Sequence, residues 1–221
     1  MNPHDVLPQT VKRAIVFIDD YIVENEKTAR KFIKSIHPEK VQNSLRISSL
    51  NKRTEVSEYK AMIAPCLNGL NVGLMSEAGC PGVADPGAVI VKIAHENGIQ
   101  VVPLVGPSSI LLAMMGSGMN GQNFAFNGYL PIDKGDKKAA LKNFENLSSS
   151  KNQSQIFIET PYRNQHMFND LIDKLHEKTK LCIAIDITSE NEFILTKTIK
   201  DWKKATTPDL KNKPCVFLLQ A

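Results

Sequence analysis

The chain is poor in aromatic residues. Phe, Tyr and Trp make up 6% of its 221 residues, with one tryptophan. A wide apolar trough for a flat ligand is hard to line with so few rings. Long hydrophobic runs are also missing. The longest apolar stretches, such as Ile110 to Met115, are core-sized and fall far short of the roughly 20 residues of a membrane span. The first 20 residues lack the basic start and apolar segment of a secretory leader. The four cysteines, Cys66, Cys80, Cys182 and Cys215, show no CxxC spacing. That argues against a disulfide frame or a zinc site and fits thiols in a reducing cytoplasm. The five histidines form no HxxxH or HExxH pair, so no metal is expected. No GxSxG is present, which leaves a hydrolase elbow unsupported. The net charge of +4, from 27 basic and 23 acidic residues, is too small to argue for nucleic-acid binding by itself.

What is present is an ordinary globular composition, 42% hydrophobic and 23% charged. The hydrophobic pattern alternates between helix and strand periods. Helices are expected over 11–18, 27–36, 56–67, 87–96 and 108–115. Strands are expected at 21–23, 45–48, 71–75 and 100–105. This order means βαβ units and a mostly parallel sheet. Gly116 to Gly121 holds three glycines in six residues and reads as a hinge. It matches G-x-G-x-x-G literally, but it follows a helix end and precedes a strand, the reverse of a dinucleotide fingerprint. Beyond it, strands are expected at 124–126 and 155–158 and helices at 136–147 and 165–175. A polar loop is expected at 148–152, a hairpin over 181–187 and 192–199, and a last strand at 215–219. The expected architecture is α/β in two domains. Residues 1–118 carry a mostly parallel sheet and residues 122–221 a mixed one.

Three loops at strand ends concentrate unusual residues. Ser76 to Gly87 (SEAGCPGVADPG) carries three glycines, two prolines, Glu77 and Asp85 between a strand and a helix. Strand ends of this kind face the ligand crevice in open parallel sheets, and glycine lets backbone approach a ligand. A rigid turn with Asp85 near the helix start is the plainer reading. Val105-Gly106-Pro107-Ser108-Ser109 offers helix-start N–H groups and two hydroxyls, or simply an N-cap. Glu159-Thr160-Pro161-Tyr162-Arg163 brings a cation suited to phosphate or carboxylate. Its plainer reading is a surface ion pair. Lys134, Lys137, Lys138 and Lys142 form one basic cluster, and Lys197, Lys200, Lys203 and Lys204 another. Either can meet RNA phosphates or be a solvated helix face.

Taken in order, SEAGCPGVADPGA, PLVGPSS and FIETPYR resemble the tetrapyrrole methylase superfamily, the class III S-adenosylmethionine-dependent methyltransferases. Together with YIVENEKTAR (21–30), they are most similar to its branch of small-subunit ribosomal-RNA cytidine 2′-O-methyltransferases. The resemblance runs from about Tyr21 to Leu219. It implies two α/β domains holding folded S-adenosylmethionine in the cleft between them, and a homodimer. Its implied cofactor residues are Ser76, Glu77, Ala78, Gly79, Cys80, Pro81, Val83, Ser108 and Ser109, with Glu159, Ala184, Pro214 and Cys215 from the second domain. Cys80 stands where more distant relatives carry Asp. Glu77 and Glu159 are the candidate general bases. Arg163, Lys134, Lys137 and Lys138 are the candidate contacts to rRNA.

The superfamily opens with a strand and a Pro/Gly-rich loop ahead of its first helix. This chain begins MNPHDVLP and shows no apolar strand there. It reads as starting after that element, so weakened cofactor binding is expected. Three functions stay open on sequence alone. The first is methylation of an rRNA ribose 2′-hydroxyl. The second is methylation of a small molecule such as a tetrapyrrole, and the third is cofactor binding without turnover.

Overall fold

The structure, a computed structural model, describes residues 3–51 and 53–221. The chain divides into two compact units at Ser108/Ser109. In the first, α1 (Pro3–Val6) and α2 (Gln9–Phe17) precede strand β1 (Asp20–Val23) and helix α3 (Glu26–Ile36). Then follow β2 (Arg46–Ser49), α4 (Val56–Leu67), β3 (Val72–Met75) and α5 (Gly87–Glu96). The strands form a parallel sheet of order β2-β1-β3. Successive residues of a strand point to opposite faces. Tyr21 and Val23 of β1 accordingly pack with Ile15, Ala29 and Ile33 of α2 and α3. Ile22 packs on the other face with Met62, Ile63 and Ile90 of α4 and α5. Helices cover both faces, so β1 is wholly buried.

Local chemistry sets the helix starts. The Asn25 side chain accepts from the N–H groups of Lys27 (3.0 Å) and Thr28 (3.3 Å) and begins α3. Glu58 accepts from the Glu55 N–H at 2.9 Å at the head of α4. The end of α2 is held from a distance. The Lys40 ammonium donates to the carbonyls of Ile15 (2.9 Å), Val16 (2.8 Å) and Ile18 (2.6 Å) and pairs with Asp19 at 2.9 Å. A cation on the last carbonyls of a helix meets both their open acceptors and the dipole.

The second unit begins with α6 (Ser109–Ser117), β4 (Phe124–Tyr129), α7 (Lys134–Lys151) and β5 (Ser154–Ile158). It continues with α8 (Asn164–Lys174), β6 (Lys180–Ile185), β7 (Phe193–Thr198), α9 (Ile199–Trp202) and β8 (Cys215–Gln220). The sheet order is β4-β5-β8-β6-β7, with β4 and β5 parallel and the other pairs antiparallel. Phe157, Ile183 and Phe217 pack with α7 and α8 on one face. Ile156, Cys182 and Leu218 pack with Ala113 and Met114 of α6 on the other.

Three expectations are corrected. The division falls at 108/109 rather than at 118–122, because α6 packs on the second sheet. Thr196 Oγ1 donates to the Ser117 carbonyl at 2.7 Å, and a Cβ on Gly116 would lie 3.0 Å from Ile194 Cδ1. Gly116 is thus a close-packing residue inside a helix rather than part of a hinge. Residues 148–152 are not a loop, since α7 runs to Lys151 and ends at Asn152 in the left-handed region (φ 47°). The buried Ser148 hydroxyl accepts from the Ala221 N–H at 2.9 Å, which accounts for a serine there. Finally, Gln100 to Val105 joins no sheet. Its composition suits a strand, but a strand needs a hydrogen-bonded neighbour. Val102 and Val105 stand 63% and 73% exposed, and β3 is an open sheet edge.

Replacing Lys40 by Met removes a buried cation from three carbonyls and an acid. We expect a loss of about 2–4 kcal/mol in urea unfolding. Lys92→Met, which breaks an exposed i,i+4 pair with Glu96, should change stability by less than about 0.5 kcal/mol.

Candidate functional site

In the first unit, parallel pairing brings the carboxyl ends of β1 and β3 side by side, with Val23 in register with Met75. The loops that leave these ends are tied together. Glu24 Oε1 accepts from the Glu77 N–H at 2.9 Å, and the Thr28 hydroxyl hydrogen-bonds the Glu77 carboxylate. Glu77 is itself exposed. Val23, Glu24, Leu50, Met75, Asp85 and Gly87 line a small recess beside this clamp.

The loop itself takes an uncommon path. Gly79 (φ 75°), Gly82 (φ 81°) and Ala84 (φ 60°) are all left-handed. Such a conformation is open to glycine and strained for alanine, and strain of this kind gathers at ligand sites. Asp85 fixes the far half, its Oδ1 accepting from Gly82 N (2.8 Å) and Gly87 N (2.6 Å). Asp85 therefore serves the turn and the start of α5. The near half is held less fully. Among the described residues, the N–H groups of Ala78, Gly79 and Cys80 take no hydrogen-bond partner. A Cβ on Gly79 would meet no atom within 4 Å, so this backbone is bare on its outer side. Cys80 Sγ donates to the Pro107 carbonyl at 3.8 Å and joins this loop to the one before Ser108. Ser109 is the first residue of α6, and Val83 is 44% exposed.

In the second unit, Glu159 is buried and its Oε1 is crowded. It accepts from Arg163 Nη2 (2.7 Å) and Nε (3.1 Å) and from the N–H of Thr160 (2.7 Å). Ala184 and Cys215 have buried side chains on neighbouring strands, so only their backbone can meet a ligand. Burial pushes the Cys182 and Cys215 thiols up, which leaves neither a nucleophile at neutral pH. The Pro214 carbonyl accepts from Asp186 N at 3.1 Å, and Asp186 and Thr188 are left-handed, at φ 48° and 69°. Lys137 is committed to Asp170 at 2.8 Å, whereas Lys134 and Lys138 are exposed. Among the described residues, no cluster of His, Cys, Asp and Glu could hold a metal ion, and no helix is long and apolar enough to cross a membrane.

Sequence reasoning singled out Glu77 but not its clamps, Glu24 and Thr28. It also passed over Asn164, whose Nδ2 donates to the Lys213 carbonyl at 2.7 Å while Oδ1 is buried with no partner. Glu24 was signalled only by an acid placed directly after an apolar strand. Nothing local marks Asn164.

Solved methyltransferase structures share this fold. The methyltransferase CobJ matches 98% of this chain and 88% of its own at a TM-score of 0.64 and 16% identity. Uroporphyrin-III C-methyl transferase from Thermus thermophilus, complexed with S-adenyl homocysteine, matches 99% of this chain and 92% of its own at a TM-score of 0.56 and 13% identity. No family model matches the chain. In sequence the chain is similar to proteins named ribosomal RNA small subunit methyltransferase I. The one from Vibrio cholerae serotype O1 is 30% identical over 151 residues, 68% of this chain and 51% of that protein. The one from Mesorhizobium japonicum is 32% identical over 159 residues, 70% of this chain and 53% of that protein. The chain thus matches about half the length of these curated relatives.

Because Glu24 holds the Glu77 N–H, Glu24→Ala should speed hydrogen exchange at that amide by about tenfold. Exchange in β1 should not change.

Proposed function

We propose that this chain is an S-adenosylmethionine-dependent methyltransferase that modifies a ribose 2′-hydroxyl of small-subunit rRNA. One observation carries the reading, the Glu77 loop. There, three unpartnered N–H groups on glycine-bared backbone lie beside an exposed carboxylate clamped at the end of a parallel strand. The shared name of the sequence relatives supports the substrate, and the S-adenyl homocysteine in the Thermus thermophilus structure supports the cofactor.

The residues fit such a ligand. The N–H groups of Ala78, Gly79 and Cys80 suit the carboxylate or hydroxyl groups of an amino-acid nucleoside. Asn164 Oδ1 is an acceptor left unmatched near Pro214 and Cys215, the second unit's share of the proposed cofactor residues. Ser76, Pro81, Val83, Ser108, Ser109, Glu159 and Ala184 complete the proposed set. When bound, S-adenosylmethionine supplies a methyl group on a cationic sulfur that departs as a neutral thioether. The protein's task is to align the acceptor oxygen with that carbon–sulfur bond and to take the hydroxyl proton as the new oxygen–carbon bond forms. Of the two candidate bases we assign this role to Glu77. Its carboxylate is exposed and oriented by Thr28, whereas Glu159 Oε1 is already filled by Arg163 and Thr160. Lys134, Lys138 and Arg163 are the proposed rRNA contacts. A cytoplasmic homodimer completes the proposal, with Leu111 and Met115 of α6 as exposed apolar surface to cover. Binding without turnover is a second reading, favoured by the unpaired 100–105 run.

The test is transfer of labelled methyl from S-adenosylmethionine to unmodified small-subunit rRNA, with the product nucleoside read by mass spectrometry. We expect a 2′-O-methyl nucleoside. Glu77→Gln should lower kcat at least about a hundredfold while cofactor affinity stays within about threefold. Cofactor binding with no transfer to any rRNA would favour the second reading.

A further inference from the structure

Two tyrosines stand exposed at one end of the five-stranded sheet. Tyr129 closes β4 and is 54% exposed. Tyr162, in the single 3-10 turn after β5 (Pro161–Arg163), is 68% exposed. β4 and β5 are parallel neighbours with Tyr129 in register with Ile158, so both rings are carried at the same end. Ile132, exposed as well, follows Tyr129 by three residues. In a chain this poor in rings, two left in water at one strand end mark a surface meant to be covered.

The surroundings say by what. The Arg163 guanidinium lies over the Tyr162 ring, 5.5 Å from its centre, and Glu159 holds it there by the two hydrogen bonds given above. Ring and cation are thus held together before any ligand arrives, and the buried carboxylate prevents the guanidinium from wandering. Lys134 and Lys138 project exposed from the first turns of α7, which starts two residues after Ile132. Nearby acids are largely spent. Asp133 caps α7 through the N–H groups of Gly135 (2.8 Å) and Asp136 (3.0 Å), and Glu159 is paired. Among the described residues, Asp136 stays beside the two lysines, and Asp173, paired with Lys174, also faces Lys138. Exposed π-faces flanked by cations match the two needs of an unpaired nucleotide, a stacking platform for the base and charge for the phosphates.

We propose that Tyr162 under Arg163, together with Tyr129, forms a base-stacking ledge for an unpaired nucleotide of single-stranded RNA, with Lys134 and Lys138 on the flanking phosphates. The inference rests on the rRNA reading and deepens it, because it requires the target region to be single-stranded and its bases unstacked. With Arg163 and Lys137 neutralised by partners, stacking rather than charge dominates at this ledge.

The experiment is fluorescence anisotropy with a labelled 12-nucleotide single-stranded RNA, and with the same strand annealed to its complement. The full chain and its Tyr162→Ala, Tyr162→Phe, Tyr129→Ala and Lys134→Gln/Lys138→Gln variants are compared. Circular dichroism confirms that each variant is folded. We expect the single strand to bind more tightly than the duplex. Tyr162→Ala should weaken single-strand binding about tenfold or more and Tyr129→Ala several-fold, while Tyr162→Phe stays within about twofold. The double lysine variant should lower the slope of log affinity against log salt, and Tyr162→Ala should leave that slope unchanged. Single-strand binding that is unaffected by Tyr162→Ala and Tyr129→Ala would overturn the ledge and leave the rRNA reading standing. No binding of either RNA by the parent chain would overturn both.

Discussion

Strand direction is the constraint from which both candidate sites follow. Parallel neighbours release their loops on the same side, however far apart the loops are in sequence. In the first unit this places Glu24, at the end of β1, against Glu77, at the end of β3, 53 residues later. In the second it places Tyr129, at the end of β4, beside the Glu159–Arg163 segment after β5. The chemistry depends on backbone hydrogen bonding that contains none of the reactive groups. Helices on both sheet faces then bury β1 in the first sheet and β5, β8 and β6 in the second along most of their length.

The two sites are built differently. The Glu77 loop is a backbone site, with left-handed residues, unpartnered N–H groups and one carboxylate held by the Thr28 hydroxyl, while Glu24 holds the Glu77 N–H. Its rigidity comes from Asp85, which ties both Gly82 and Gly87. The Tyr162 segment is a side-chain site, in which a buried carboxylate fixes a cation over a ring. A donor that must be gripped by its polar groups suits the first. A base that must be met face to face suits the second.

Much of this organisation is legible in the sequence. Helices α4 and α5 fall at the residues their periodicity and flanking Gly and Asn residues indicate, and the Ser76 and Glu159 loops leave strand ends as expected, whereas the Val105–Ser109 loop follows no strand. What was not legible depends on distant partners. Gln100 to Val105 has the composition of a strand, but composition cannot supply the neighbour that makes one. Lys40 looks like any surface lysine until the fold brings it to carbonyls 22 to 25 residues away. Arg163 and Lys137 read as free cations because Glu159 and Asp170 become their partners only in the folded unit. Tyr129 carries no local mark at all. Its role arises from register with β5.

The claim most exposed to test is that the bared backbone of the Glu77 loop holds the methyl donor. A calorimetric titration of S-adenosylmethionine into the chain and into its Gly79→Val variant addresses it. A β-branched side chain at φ 75° is strained and projects over the unpartnered N–H groups. The account predicts one saturable site per chain, with binding lost in the variant. Equal binding by both chains, or by neither, would contradict it.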